Sequence, residues 1–156
     1  MKQLLFLAAF GAISVVSACG FRPVYATPSS GAISVQTIPG RSGHALRKAL
    51  LHDLAAGLPG DMQGATLSVQ LSESLTQLAF TTDGAASRSS VRARGSYVLS
   101  YNGGAVSGFA SSEATFNVPV SPYGDISAQV AASERAMNEL SRVLVEDMRI
   151  KLSQAQ

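Results

Sequence analysis

The chain has 156 residues, of which only 14% are charged, with a formal net charge of +2 and a single cysteine, Cys19. That length is one ordinary domain. So weak a charge excludes a generally polyanion-binding surface, so no nucleic acid is expected as partner, and one cysteine excludes both a disulfide and a thiolate metal site.

Residues 1–18 read as a signal peptide: Lys2 supplies a positive charge, Leu4 to Val16 is an apolar run too short to span a membrane stably, and Ser17 and Ala18 are small. Losing Lys2 with this leader lowers the charge from +2 to +1. The small-residue site ends on Cys19, and Val16-Ser17-Ala18-Cys19 resembles the bacterial lipobox, whose cysteine is acylated and becomes the mature N-terminus. An ordinary signal peptide with an incidental Cys19 is the plain alternative. Acylation at Cys19 implies more than one acyl chain, and two chains anchor stably where one is marginal.

Residues 19–31 form the lipidated N-terminus and a Pro/Ser/Thr-bearing tether, although Phe21, Val24 and Tyr25 are apolar enough to dock. Residues 32–156 form one domain. The alternating, β-branched stretch Ile33 to Ile38 predicts a first strand, closed by Pro39-Gly40. Leu46, Leu50 and Leu54 repeat every four residues, so Ser42 to Leu58 is expected as a helix, with Ser42 as N-cap and Gly57 as terminator.

Three long alternating segments follow. Ala65, Leu67, Val69 and Leu71 share one face; Leu78 and Phe80 take the opposite parity, which places a bulge near Glu73 to Gln77. Asp83 to Ser90 reads as a polar connection. Val91, Ala93, Tyr97, Leu99 and Tyr101 then oppose Arg92, Arg94, Ser96 and Ser100. Asn102-Gly103 is a strong hairpin signal, and a returning strand runs from about Ala105 to Val118. Pro119 to Gly124 breaks the sheet. Asp125 is expected to cap a last helix to about Leu152, with Ile126, Val130, Met137, Leu140, Leu144 and Met148 as its apolar stripe. The predicted fold is α+β: a two-layer sandwich with a four-stranded sheet and two helices on one face, in the order β-α-β-β-β-α.

The Cys19-Gly20-Phe21-Arg22-Pro23-Val24-Tyr25 start, this element order and the Ser121-Pro122-Tyr123 corner before a long last helix resemble the LPS-assembly lipoprotein family, LptE. The resemblance covers the mature chain, with its specific part in the two short motifs. It implies an outer-membrane lipoprotein on the periplasmic side that plugs the LptD β-barrel, assists its assembly and helps insert lipopolysaccharide into the outer leaflet. Gly20 after Cys19, where an aspartate would signal retention, agrees with outer-membrane sorting. The alternative of another class is a periplasmic accessory lipoprotein of an ABC-type lipid transporter, for which a deep apolar pocket between sheet and helices would speak.

Arg88, Arg92 and Arg94 form the local basic cluster read from the sequence, with Arg88 in the loop leading in and Arg92 and Arg94 about 7 Å apart on one strand face. Forked donors at that spacing suit lipopolysaccharide phosphates, and the resemblance implies Arg92 and Arg94 as lipid contacts without choosing between them. The other reading is a solvated strand face whose arginines guard against edge pairing. His44 and His52 lie eight apart with Asp53 nearby, but no cysteine or third histidine is available to complete a tetrahedral set, so no zinc, and no other cofactor, is expected. Neither GxSxG nor Ser-x-x-Lys occurs, and no catalytic role is expected.

Overall fold

The computed structural model describes residues 33–154; the expected signal peptide, the tether and Cys19 lie outside the described residues. The elements are β1 (Ser34–Val35), α1 (Gly40–Asp53) with a 3-10 turn at Leu54–Ala56, β2 (Thr66–Phe80), β3 (Ala86–Tyr101), β4 (Gly104–Asn117) and α2 (Pro122–Gln154). The order is β-α-β-β-β-α and the class is α+β, as expected. The strands lie in the order β1-β2-β3-β4, with β1 parallel to β2 and the other neighbours antiparallel.

Alternation explains the long strands. Leu67, Val69, Val91, Ala93, Tyr97, Leu99, Ala110 and Phe116 are buried on the face that carries the helices. Leu140, Leu144 and Met148 of α2 and Leu46 and Leu50 of α1 are wholly buried against them. Each such side chain contributes roughly 1.5–3 kcal/mol relative to leaving it in water. Buried Ser112 Oγ donates to the Ala136 carbonyl at 2.7 Å and ties β4 to α2. Gly95 sits beneath α2, where an added Cβ would lie 3.3 Å from Leu144 Cδ1, so its bare backbone sets how closely the helix approaches.

Helix lengths decide which part of the sheet is covered. At 1.5 Å per residue α2 is roughly 50 Å long, about the length of β2, whereas the 14-residue α1 spans only about 21 Å. Near its start α1 meets β2 at Glu73, whose carboxylate accepts from the Ser42 hydroxyl. Past that point β2 has no α1 above it. Leu75, Leu78 and Phe80 are accordingly exposed.

Several boundaries differ from expectation. β1 pairs only at Ser34 and Val35, because after Gln36 donates to the Leu67 carbonyl the chain leaves the sheet for α1. α1 starts at Gly40 behind Pro39, without a side-chain cap; Ser42, expected as the cap, turns its hydroxyl to Glu73 instead. Gly57, with φ of 81°, does end the helical segment. The irregularity in β2 falls at Leu78, between the Gln77–Ser89 and Ala79–Arg88 pairs, and not at Glu73 to Gln77. The expected bulge is therefore present but a little further along, with a second shift between Ala79 and Phe80, and the exposure of Leu75 before it reflects missing helix cover.

The connection expected over Asp83 to Ser90 is mostly strand. The turn is confined to about Thr81–Ala85, where Thr81 N–H donates to the Ala85 carbonyl at 2.8 Å. The Thr81 hydroxyl, then the Ala85 N–H, hold the Asp83 carboxyl below the usual range. Arg88 consequently lies in β3, paired with Ala79 and Asn117, and not in a loop. α2 begins at Pro122, where a missing N–H costs nothing, and Ser121 Oγ accepts from Gly124 N–H at 3.3 Å, so Ser121 does the capping expected of Asp125. Ile126, expected in the apolar stripe, is 62% exposed because the first turns of α2 project past α1.

Candidate functional site

Among the described residues, no element covers the face of the sheet turned away from the helices. By register its cross-strand rows are Ser68–Val98–Ser107, Gln70–Ser96–Phe109, Ser72–Arg94–Ser111 and Ser74–Arg92–Glu113. Small hydroxyl side chains dominate it because alternation sends every second residue of each strand to this side. Phe109 stands 82% exposed among them.

The three arginines share this face by strand parity but have different partners. Arg92 lies directly across from Glu113 and donates from Nη2 at 2.8 Å and from Nε at 3.3 Å to the same carboxylate oxygen. Hydrogen bonds from Arg92, and then from Ser90, hold the Glu113 carboxyl below its ordinary range. Arg94, the next outward residue, makes no ion pair among the described residues. It lines a shallow depression of about 420 Å³ with Gln70, Ser72, Ser96, Phe109 and Ser111. This depression offers one guanidinium, several hydroxyls, one side-chain amide and one aromatic ring. Arg88 is exposed nearer the β2–β3 turn, about 13 Å from Arg92 at the strand rise. Arg92 and Arg94 are thus brought together and Arg88 stands apart; among the described residues Arg92 is tied to a carboxylate, whereas Arg94 and Arg88 are not.

At the other end of the sheet the helix side carries a polar network. Buried Tyr97 donates its hydroxyl to Asp147 Oδ2 at 2.8 Å, and Lys151 Nζ donates to the same oxygen at 2.7 Å and to the Ser107 carbonyl at 2.9 Å. Lys151 also stands 5.5 Å from the Tyr97 ring centre. Burial, followed by the hydrogen bond to Asp147 and then the Asp147 charge, pushes the Tyr97 phenol well above its ordinary pKa. Burial pushes the Asp147 carboxyl up, but the hydrogen bonds from Lys151 and Tyr97 outweigh it and leave the pKa below the usual range. Gly108 makes room for all three: a Cβ there would overlap the Asp147 carboxylate, the Lys151 amine and the Tyr97 ring. This role was not read from the sequence, where a glycine inside a strand is the signal for a close approach.

His44 and His52 line a groove of about 560 Å³ between α1 and α2, together with Arg41, Lys48, Asp53, Glu134 and Arg142. His52 Nδ1 lies 3.2 Å from Asp53 Oδ1, and Asp53 Oδ2 accepts from Ser141 at 2.6 Å. Among the described residues no three His, Cys, Asp or Glu side chains stand together as a metal site would need. The basic side chains of this groove were not singled out from the sequence, because they become neighbours only when α1 packs on α2.

No protein-family model matches the chain, and no curated protein does. Solved structures do resemble it. A Caulobacter crescentus CB15 protein described as a lipoprotein is 26% identical, with a TM-score of 0.61 over 80% of this chain and 93% of that one. Rare lipoprotein B from Shewanella oneidensis superposes with a TM-score of 0.59 at 9% identity, over 80% of this chain and 97% of that one. A minor lipoprotein from Acinetobacter baumannii gives 0.55 at 13% identity, over 76% and 92%. The described domain thus has the fold of Gram-negative lipoproteins of the rare lipoprotein B type, the fold anticipated from the LptE resemblance.

Proposed function

We propose that this chain is a non-catalytic lipoprotein, anchored through Cys19 to the outer membrane and facing the periplasm. There it serves as the plug subunit of an LptD-like β-barrel, assisting the barrel's assembly and the insertion of lipopolysaccharide into the outer leaflet. The observation that carries the reading is the rare lipoprotein B type of fold on a chain whose N-terminal region holds a lipobox. The bare, hydroxyl-rich sheet face is the surface a polar barrel lumen would accept. On it Arg94, with Arg92 beside it, is the group to meet a lipopolysaccharide phosphate.

The alternative, an accessory subunit of an ABC-type lipid transporter, calls for a dry acyl-chain pocket between sheet and helices. That layer is filled by Leu67, Leu99, Met137, Leu140, Leu144 and Met148, all wholly buried. The filling favours the plug. The test is purification of the tagged, lipidated protein from detergent-solubilised outer membranes. A heat-modifiable barrel is expected to copurify in stoichiometric amount; recovery of inner-membrane transporter subunits in its place would overturn the reading.

A further inference from the structure

The two edges of the sheet are protected unequally. Along β4, Arg135 Nη2 donates to the Thr115 carbonyl at 3.3 Å and Lys151 Nζ to the Ser107 carbonyl at 2.9 Å, so side chains of α2 occupy acceptors on that edge. Along β2, the strand β1 covers only Thr66 and Leu67. The Ala65 and Leu67 carbonyls accept from Ser34 and Gln36, which shows that odd-numbered residues of β2 aim their backbone groups at this edge. By the same alternation Leu71, Glu73, Leu75 and Gln77 present N–H and C=O groups there, and no strand among the described residues pairs with them.

Thr66–Phe80 contains no lysine, arginine or proline; its guards against edge pairing are the inward-pointing Glu73 and the irregularity that ends the regular edge at Leu78. The segment carries apolar side chains in the open instead: Leu75 is 50% exposed, Leu78 48% and Phe80 60%. Long, weakly guarded and partly apolar, such an edge is a template for another strand.

We propose that the outer half of β2, from Leu71 to Gln77, is a strand-addition site that receives an extended segment of the barrel partner; this rests on the plug reading above. The chemistry narrows the donor. A closed barrel leaves no wall strand with a free edge, so the donor is a loop or terminal segment of the barrel chain. Its residues alternate, with apolar side chains over Leu75 on the helix side and small polar ones beside Ser72, Ser74 and Thr76 on the bare side. A second copy of this chain fits less well. Antiparallel pairing of two β2 edges brings together two α1 N-termini, both positive helix ends and both with Arg41 in the first turn.

Hydrogen exchange on the copurified complex and on the isolated mature protein tests this. Exchange over residues 70–78 is expected to slow by about tenfold or more in the complex. Leu75→Pro removes one edge N–H while leaving the bonds to β3, since Leu75 faces away from that ladder; this variant should fold, melt like the parent and recover several-fold less barrel. A complex whose 70–78 exchange matches that of the free protein overturns the site and leaves the plug reading standing. Slowed exchange in the isolated protein that grows with its concentration overturns the donor in favour of a second copy. Failure to recover any barrel with the parent chain overturns the plug reading itself, and this donor with it.

Discussion

Arg92 and Arg94 occupy successive outward positions on one strand, yet a single cross-strand neighbour separates their roles. Glu113 engages Arg92 from both Nη2 and Nε, whereas Arg94 faces Ser72 and Ser111. Arg94→Ala is therefore expected to weaken lipopolysaccharide binding in a pull-down by about tenfold, the size of one charge-assisted contact. Arg92→Ala should cost less binding and leave the denaturation midpoint little changed, as the loss of an exposed pair does. Equal retention by both variants would remove the arginines from lipid recognition.

Tyr97 and Asp147 make a second prediction at this scale. The Asp147 carboxyl is held below its unfolded value, so its contribution is present above about pH 4 and is lost as acid protonates the folded form. The Tyr97 phenol is held above its unfolded value, so its contribution is present below about pH 10 and is lost as alkali ionises it. Urea midpoints measured from pH 3 to 11 should fall at both ends. Tyr97→Phe should flatten the alkaline limb and move the acid limb to higher pH, because Asp147 then loses one of its donors.

Among the elements, the mismatch between α1 and α2 has the widest consequences. α2 runs the length of the sheet; α1 stops short, and the difference leaves the outer β2–β3 hairpin covered on one side only. The start of α1 is sterically fixed. Gly43 is buried, and a Cβ there would come within 2.6 Å of the Ile38 carbonyl oxygen, which is backbone and has nowhere to go. Gly43→Ala should thus destabilise the domain by about 1–3 kcal/mol, read from the denaturation midpoint, despite alanine's better helix propensity. A neutral or stabilising result would mean that the β1–α1 connection yields easily. The same short helix explains why Leu75, just past the point where Ser42 of α1 meets Glu73, is exposed although it keeps the inward parity, and the ladder to β3 continues undisturbed to Gln77.

At the scale of the whole molecule, the described domain is a filled two-layer fold with one bare sheet face and one open edge. Element order, the parity of the strand faces, the buried leucines of both helices and the Asn102-Gly103 turn were all legible in the chain, because periodicity of 2 or 3.6 is a local property that packing only had to agree with. What the tertiary structure alone decided were relations between residues far apart: Glu113 beside Arg92, Ser42 turned to Glu73 in place of capping a helix, Gly108 beneath Asp147, and basic side chains of α1 and α2 sharing one groove. It also decided how far α1 reaches along β2, and hence where the sheet lies open. Each depends on a register or a helix crossing, and those are set by how side chains from separate elements fill a common core, which no single stretch of sequence contains.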